Sequence, residues 1–191
     1  GETPAGIRGA LALKDIREDE VIVAAPKDAV LMTQEGDKNP LPQWMSDDNW
    51  DDLKGFWNVK MALRLIWERR LGEKSRFRAY MRVLPEEYST TLFFTAEEID
   101  QLQCPQLMEC ALDDQKYFLW VWERLVQIME DPPSKEEFFW GLACAGSRTF
   151  TADFGPQEPN GEIMCPIADM VNHNERSAPA MRWCEDTQTF E

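Results

Sequence analysis

Residues 165–173 gather the groups best suited to chemistry. Asp169, Asn172 and His173 follow a short apolar run, and His173 is the single histidine of the 191 residues. A carboxylate, an amide and an imidazole within five positions could hold a polar ligand or move a proton. Residue types alone leave two readings open. A histidine beside an apolar run is more often a satisfied core side chain than a catalyst, and a run this short fits a buried strand or one helical turn. Arg148 supplies a permanent planar cation upstream, although it could simply pair with an acid, as Asp169 could simply cap a turn. Near the other end, Gly6 and Gly9 flank Ile7 and Arg8. Glycine lets a backbone approach a ligand closely, but the same spacing suits an ordinary β-turn.

The elements that must carry these residues change character along the chain. Residues 1–33 mix glycine turns with β-rich runs, and short strands are predicted over 21–23 and 29–32. Residues 33–49 turn polar, with Pro40 and Pro42, and read as a loop; Asp47 and Asp48 suit a solvated surface or a helix N-terminus. Phe56, Val59, Leu63, Ile66 and Trp67 recur at helical steps, predicting a helix over 50–71 that Gly72 ends. A short helix is predicted over 77–83, stopped by Pro85. Thr95 with Glu98 forms a capping box and opens a helix reaching about residue 102. Pro105 opens a longer one, with Leu107, Ala111, Leu112, Phe118, Val121, Leu125 and Ile128 as its apolar side. Ser134 with Glu137 repeats the box before a helix over 138–146. Residues 151–162 read as a loop, and residues 180–183 and 187–190 as a hairpin around Cys184, Glu185 and Asp186.

Composition narrows the function classes. Net charge is −15, with 35 acidic against 20 basic residues. Such a chain repels a phosphate backbone, so no direct nucleic-acid partner is expected. Arginines 69, 70, 76, 78 and 82 interleave with aromatics in a way that could suit single-stranded nucleic acid, and the same acidity argues against that. Docking against a basic protein surface remains open. No apolar span is long enough for a membrane helix, so no membrane partner is expected. Five cysteines without CxxC spacing and one histidine make a metal site improbable, and the cysteines read as reduced, buried thiols of a reducing compartment.

Asp169, Met170, Asn172 and His173 resemble the Asp-Met-x-Asn-His signature of SET-domain methyltransferases. The branch is that of the RuBisCO large-subunit lysine methyltransferase and the actin-histidine methyltransferase. Residues 6–16 are similar to its opening glycine turn, and Ser147, Arg148, Thr149 and Phe150 to a Ser-Arg step after a Trp-rich helix. The resemblance implies an α+β fold, a SET domain of short strands interrupted by an all-helical insertion. Its segments would be residues 1–45, the insertion 46–146, and residues 147–191 as an incomplete closing segment. It implies S-adenosylmethionine as cofactor, held by the backbone of Ile7, Arg8 and Gly9 together with Arg148, Asp169, Asn172 and His173. Arg148 would meet the cofactor's polar end, Asn172 its amino-acid end and His173 its adenine, while Asp169 shapes the corner. The implied activity is methylation of a protein lysine, or of a histidine.

The branch often carries an acid where this chain has Gly6. It also completes its site with a later catalytic tyrosine, whereas Tyr80, Tyr88 and Tyr117 all fall in the insertion, so no catalytic residue is assigned. The chain also resembles a SET-domain accessory subunit of plastid RNA polymerase, from the run at residues 92–98 as well as the Asn-His stretch. The alternative expectation is therefore a non-catalytic subunit of a large complex. A protein substrate or partner subunits are implied either way. The chloroplast stroma is the favoured compartment, with cytoplasm or nucleus as the alternative.

Overall fold

Long-range pairing of very short strands organises one part of the molecule, and locally signalled helices the other. The computed structural model describes residues 1–2, 6, 9–154, 160–172 and 181–191. The chain divides into two compact units, Gly1–Glu35 with Arg148–Glu191, and Gly36–Ser147.

The first unit holds strands β1 (Ala25–Pro26), β2 (Leu31–Gln34), β3 (Phe150–Ala152), β4 (Gly161–Met164), β5 (Trp183–Cys184) and β6 (Thr189–Phe190). They form two antiparallel sheets, in the orders β1-β6-β5 and β2-β4-β3. Leu31 faces Met164 and Gln34 faces Gly161 across the second sheet, while Phe150 faces Ile163. Glycine is required where β4 begins, because a Cβ at Gly161 would stand 2.8 Å from the Thr33 carbonyl oxygen. Val30, Phe154, Ile163, Cys165 and Phe190 form the core of this unit. Phe190 meets Phe154 edge-on at 5.1 Å and Trp183 at 4.9 Å.

Strand positions differ from the sequence reading where the pairing partner decides them. Residues 21–23 are not in a ladder: β6 offers two pairing positions, and Ala25 and Pro26 take them. Val21 and Ile22 stay about half exposed. The second predicted strand lies two residues later, extending to Gln34, and both ends of the predicted 151–162 loop are strand. The closing hairpin forms, but Cys184 belongs to its first strand and the turn is residues 185–188.

The second unit contains α1 (Asp47–Asp52), α2 (Trp57–Leu71), α3 (Arg78–Met81), α4 (Ala96–Asp100), α5 (Pro105–Ile128) and α6 (Lys135–Arg148), whose last residue belongs to the first unit. Ser46 caps α1, and Asp47 and Asp48 occupy its first turn, where the helix dipole favours acids. The single helix expected over 50–71 is broken at Gly55, which takes φ +83°, a left-handed conformation suited to glycine. Gly72 then ends α2. Both capping boxes form. Thr95 and Glu98 exchange bonds at 3.2 and 2.8 Å, and Ser134 and Glu137 at 3.1 and 2.8 Å.

Helix α2 buries residues almost all round, including Leu63, Leu65 and Ile66, so it is the centre of its unit. Helix α6 packs against it closely, since a Cβ at Gly141 would lie 3.0 Å from the Ala62 Cβ. Arg70 clamps the same pair of helices, bonding Glu137 at 2.9 and 2.6 Å. Three of the interleaved arginines stack on aromatic rings of the same unit: Arg69 on Trp140, Arg70 on Trp44 and Arg76 on Phe77. On α5, Ala111, Val121 and Leu125 are buried, whereas Leu107 and Leu112 are 56% and 39% exposed. All five cysteines carry thiols, but only Cys144 and Cys165 are buried, and Cys110 is exposed. Among the described residues, no helix is long and apolar enough to cross a membrane.

Candidate functional site

The run before Asn172 is neither a plain strand nor a plain helical turn. β4 ends at Met164, and a short 3-10 turn, Ala168–Met170, follows. Between them Ile167 takes φ +77° and ψ −49°, close to the strained γ-turn region and an outlier for a β-branched residue. Three backbone bonds hold the reversal: Asp169 N–H to Cys165 O, Met170 N–H to Ile167 O and Val171 N–H to Ala168 O, all at 3.1 Å. The reversal points Asp169 inward.

Asp169 has a fully buried side chain, and Arg148, at the end of α6, donates from Nη1 to its Oδ2 at 3.0 Å. The same Nη1 stands 3.4 Å from the Asp169 carbonyl oxygen and 3.5 Å from the Met170 sulfur. A guanidinium that reaches a carboxylate, that residue's backbone carbonyl and a thioether at once holds the turn in place. Arg148 and Asp169 are thus joined as an ion pair. Cys165 lies behind them, and burial together with the nearby Asp169 charge pushes its thiol up to about 11. It is a buried structural thiol, not a nucleophile.

The opposite side of the turn meets the glycine segment. Ala10 donates its N–H to the Met170 carbonyl at 2.8 Å. Gly9 is buried, and a Cβ there would collide with Asn172 Nδ2 and stand 3.0 Å from Asn172 Cγ and 3.2 Å from Met170 O. The Asn172 amide therefore rests on bare backbone, with its residue exposed to solvent. Among the predicted site residues, Gly9, Arg148, Asp169 and Asn172 come together around one turn. Ile7, Arg8 and His173 lie outside the described residues.

Two participants escaped the sequence reading. The Met170 carbonyl joins the two segments, but a backbone acceptor carries no residue-type signal. The strained Ile167 sets the reversal, and nothing in its type or neighbours except Pro166 marks a bend there.

The fold as a whole has a counterpart among solved structures. The crystal structure of the SET domain of LSMT bound to lysine and AdoHcy superposes with a TM-score of 0.72, covering 95% of this chain and 42% of that one, at 24% identity. The chain has a SET fold. The α+β architecture implied by the resemblance is thus observed, with its short strands and its helical segment. No family model matches the chain. Two relatives carry the names of the branch that the SET signature resembles. The RuBisCO large-subunit N-methyltransferase of Pisum sativum, a chloroplastic protein, is 28% identical over 181 residues, or 87% of this chain. The actin-histidine N-methyltransferase of Danio rerio is 26% identical over 178 residues. The chain spans about a third of the length of these relatives, 33% and 29% respectively.

Proposed function

We propose that this chain forms the cofactor-proximal part of a protein N-methyltransferase that uses S-adenosylmethionine and acts on lysine, with histidine as the alternative acceptor. The observation that carries the reading is the seating of the Asn172 amide on the bare backbone of Gly9. That contact leaves an amide, both donor and acceptor, fixed beside Gly9, which suits the amino-acid end of such a donor. The residues present therefore fit the group.

The cofactor, when bound, supplies an electrophilic methyl carbon for in-line displacement by a nitrogen. The chain's own residues supply position. Asn172 and the backbone near Gly9 hold and orient. Arg148 and Asp169 are positioning residues, because the Asp169 side chain is fully buried and already engaged with Arg148. His173, Ile7 and Arg8 complete the proposed pocket by resemblance. None of the three tyrosines, Tyr80, Tyr88 and Tyr117, lies in the strand-built unit, so no residue of this chain is proposed to act on the acceptor nitrogen. The chloroplastic relatives favour a plastid.

Equilibrium dialysis of the full polypeptide against labelled S-adenosylmethionine tests the reading. One equivalent should bind, and Asn172→Ala should weaken binding at least tenfold while the circular dichroism spectrum stays unchanged. Folded protein that takes up no cofactor would sink the proposal and leave a SET scaffold working through its surfaces.

A further inference from the structure

The helical unit contains a cavity that the methyltransferase reading does not use. Its volume is about 480 Å³, within the range of ligand pockets. Phe93, Phe94, Leu112, Leu119 and Phe139 give it an apolar lining. Part of that lining is the Leu-Phe-Phe-Thr segment that begins the run at residues 92–98. The wall is preorganised. Gln115 on α5 donates to the carbonyls of Thr91 and Phe94 at 2.7 and 2.9 Å, pinning the short turn Thr91–Phe93 to the helix. Phe93 and Phe139 meet edge-on at 6.4 Å, and Phe93 remains 40% exposed. Leu112 was expected on the buried side of α5. It is 39% exposed because it faces this opening instead.

The charge at the rim runs against the rest of the molecule. Lys116 and Lys135 line the opening in a chain of net charge −15. The Lys135 ammonium lies 5.6 Å from the Phe139 ring centroid, directly beside the apolar floor. Lys116 has a loose contact at 3.7 Å to Asp113, with both side chains mostly in water, an arrangement that holds a lysine weakly. Among the described residues, Glu136 is the one acid in the lining. Its carboxylate is engaged at the start of α6 by its own N–H and the Ser134 hydroxyl, which lower its pKa. Two cations over an apolar hole select an apolar group that carries an adjacent negative charge.

We propose that this cavity docks a segment of a partner protein in which a large apolar side chain, Phe or Leu, is flanked by Asp or Glu. The apolar side chain fills the space between Phe93, Leu112 and Phe139, and the flanking carboxylates meet Lys116 and Lys135. A peptide rather than a free acid is favoured because the two lining cations stand on different helices, α5 and α6, so that more than one carboxylate can be met at once. The proposal is independent of cofactor binding.

The test uses the full polypeptide without cofactor and end-capped hexapeptide libraries. Each peptide has one central Phe or Leu, flanked on both sides by acidic, neutral or basic residues. Fluorescence anisotropy should show acidic-flanked peptides binding at least tenfold more tightly than basic-flanked ones. The double reversal Lys116→Glu with Lys135→Glu, at two exposed positions, should invert that order without changing the fold, and Leu112→Asp should abolish binding of both sets. Equal binding of all flanks, or a preference the reversal does not move, overturns the proposal. So does octanoate displacing no peptide, or octanoate alone matching the affinity of the best acidic peptide, which would mark a small-molecule site.

Discussion

The two units solve the same problem, a buried ion pair, for different ends. In the helical unit Lys60 bonds Asp37 at 3.1 Å with both side chains largely buried, and its ammonium sits 4.6 Å from the centroid of the Trp50 ring. Asp37 also accepts from the Trp50 indole at 3.1 Å. That pair joins the start of the unit to its central helix and serves stability. In the strand-built unit Arg148 and Asp169 form a pair of similar length, and what it fixes is the turn that carries Asn172. Removal of either pair should therefore read out differently, one in the unfolding free energy and the other in the site.

The largest effect is expected in the helical unit. Lys60→Ala leaves Asp37 buried without its cation and should cost about 3 kcal/mol of stability, measured by urea unfolding. Lys60→Met combined with Asp37→Leu should recover part of this. Recovery stays incomplete because the Trp50 indole N–H loses its acceptor, at about 1–2 kcal/mol. Full recovery would show that the indole bond contributes nothing.

Asp169→Asn is the matching change in the other unit. It keeps an oxygen for Arg148 but removes the charge, and should cost about 2 kcal/mol. It should also weaken S-adenosylmethionine binding, which Lys60→Ala should leave unaltered in the folded fraction. If both variants lower affinity equally, the contrast between the units fails. Gly9→Ala is gentler on stability and harsher on the site. The added Cβ must displace the Asn172 amide, so cofactor affinity should fall about tenfold, equivalent to about 1.4 kcal/mol.

The units also differ in how much of them the sequence reveals. Helix starts were legible at Thr95, Pro105 and Ser134, because a cap is a local bond between residues three apart. Ser134→Ala should accordingly cost about 1 kcal/mol and lower Tm by about 2–4 °C. The break at Gly55 is not legible, since Trp50, Leu53 and Phe56 keep a helical spacing across it and glycine is tolerated within helices. The first two strands differ from their expected positions because their partners lie more than a hundred residues away. Nothing near Ala25 and Pro26 shows that Thr189 and Phe190 will pair with them while residues 21–23 go without. Likewise Asp169 and Asn172 were identifiable by type. That one would point inward and the other outward depends on the φ of Ile167, which its side chain opposes.

The cysteines offer the mildest comparison, because it perturbs no structure. Cys110 is exposed on α5 of the helical unit, and Cys165 is buried beside Asp169 in the other. With its thiol pushed up to about 11 from an ordinary 9.0, Cys165 should resist alkylation at pH 8 in the folded state while Cys110 labels rapidly, as mass spectrometry of iodoacetamide adducts would show. The same shift has a signed consequence for stability. A thiol whose folded pKa is raised binds its proton more tightly when folded, so this contribution is complete below pH 9 and is lost as pH rises from 9 to 11. Cys165→Ser should not reproduce that loss, since a hydroxyl does not titrate in the range. Stability measured at pH 8 and pH 10.5 in the two proteins should therefore differ in slope, with the native chain falling more steeply. Equal slopes would mean that Cys165 reaches solvent and that the turn carrying Asn172 opens more readily than the Arg148 pair implies.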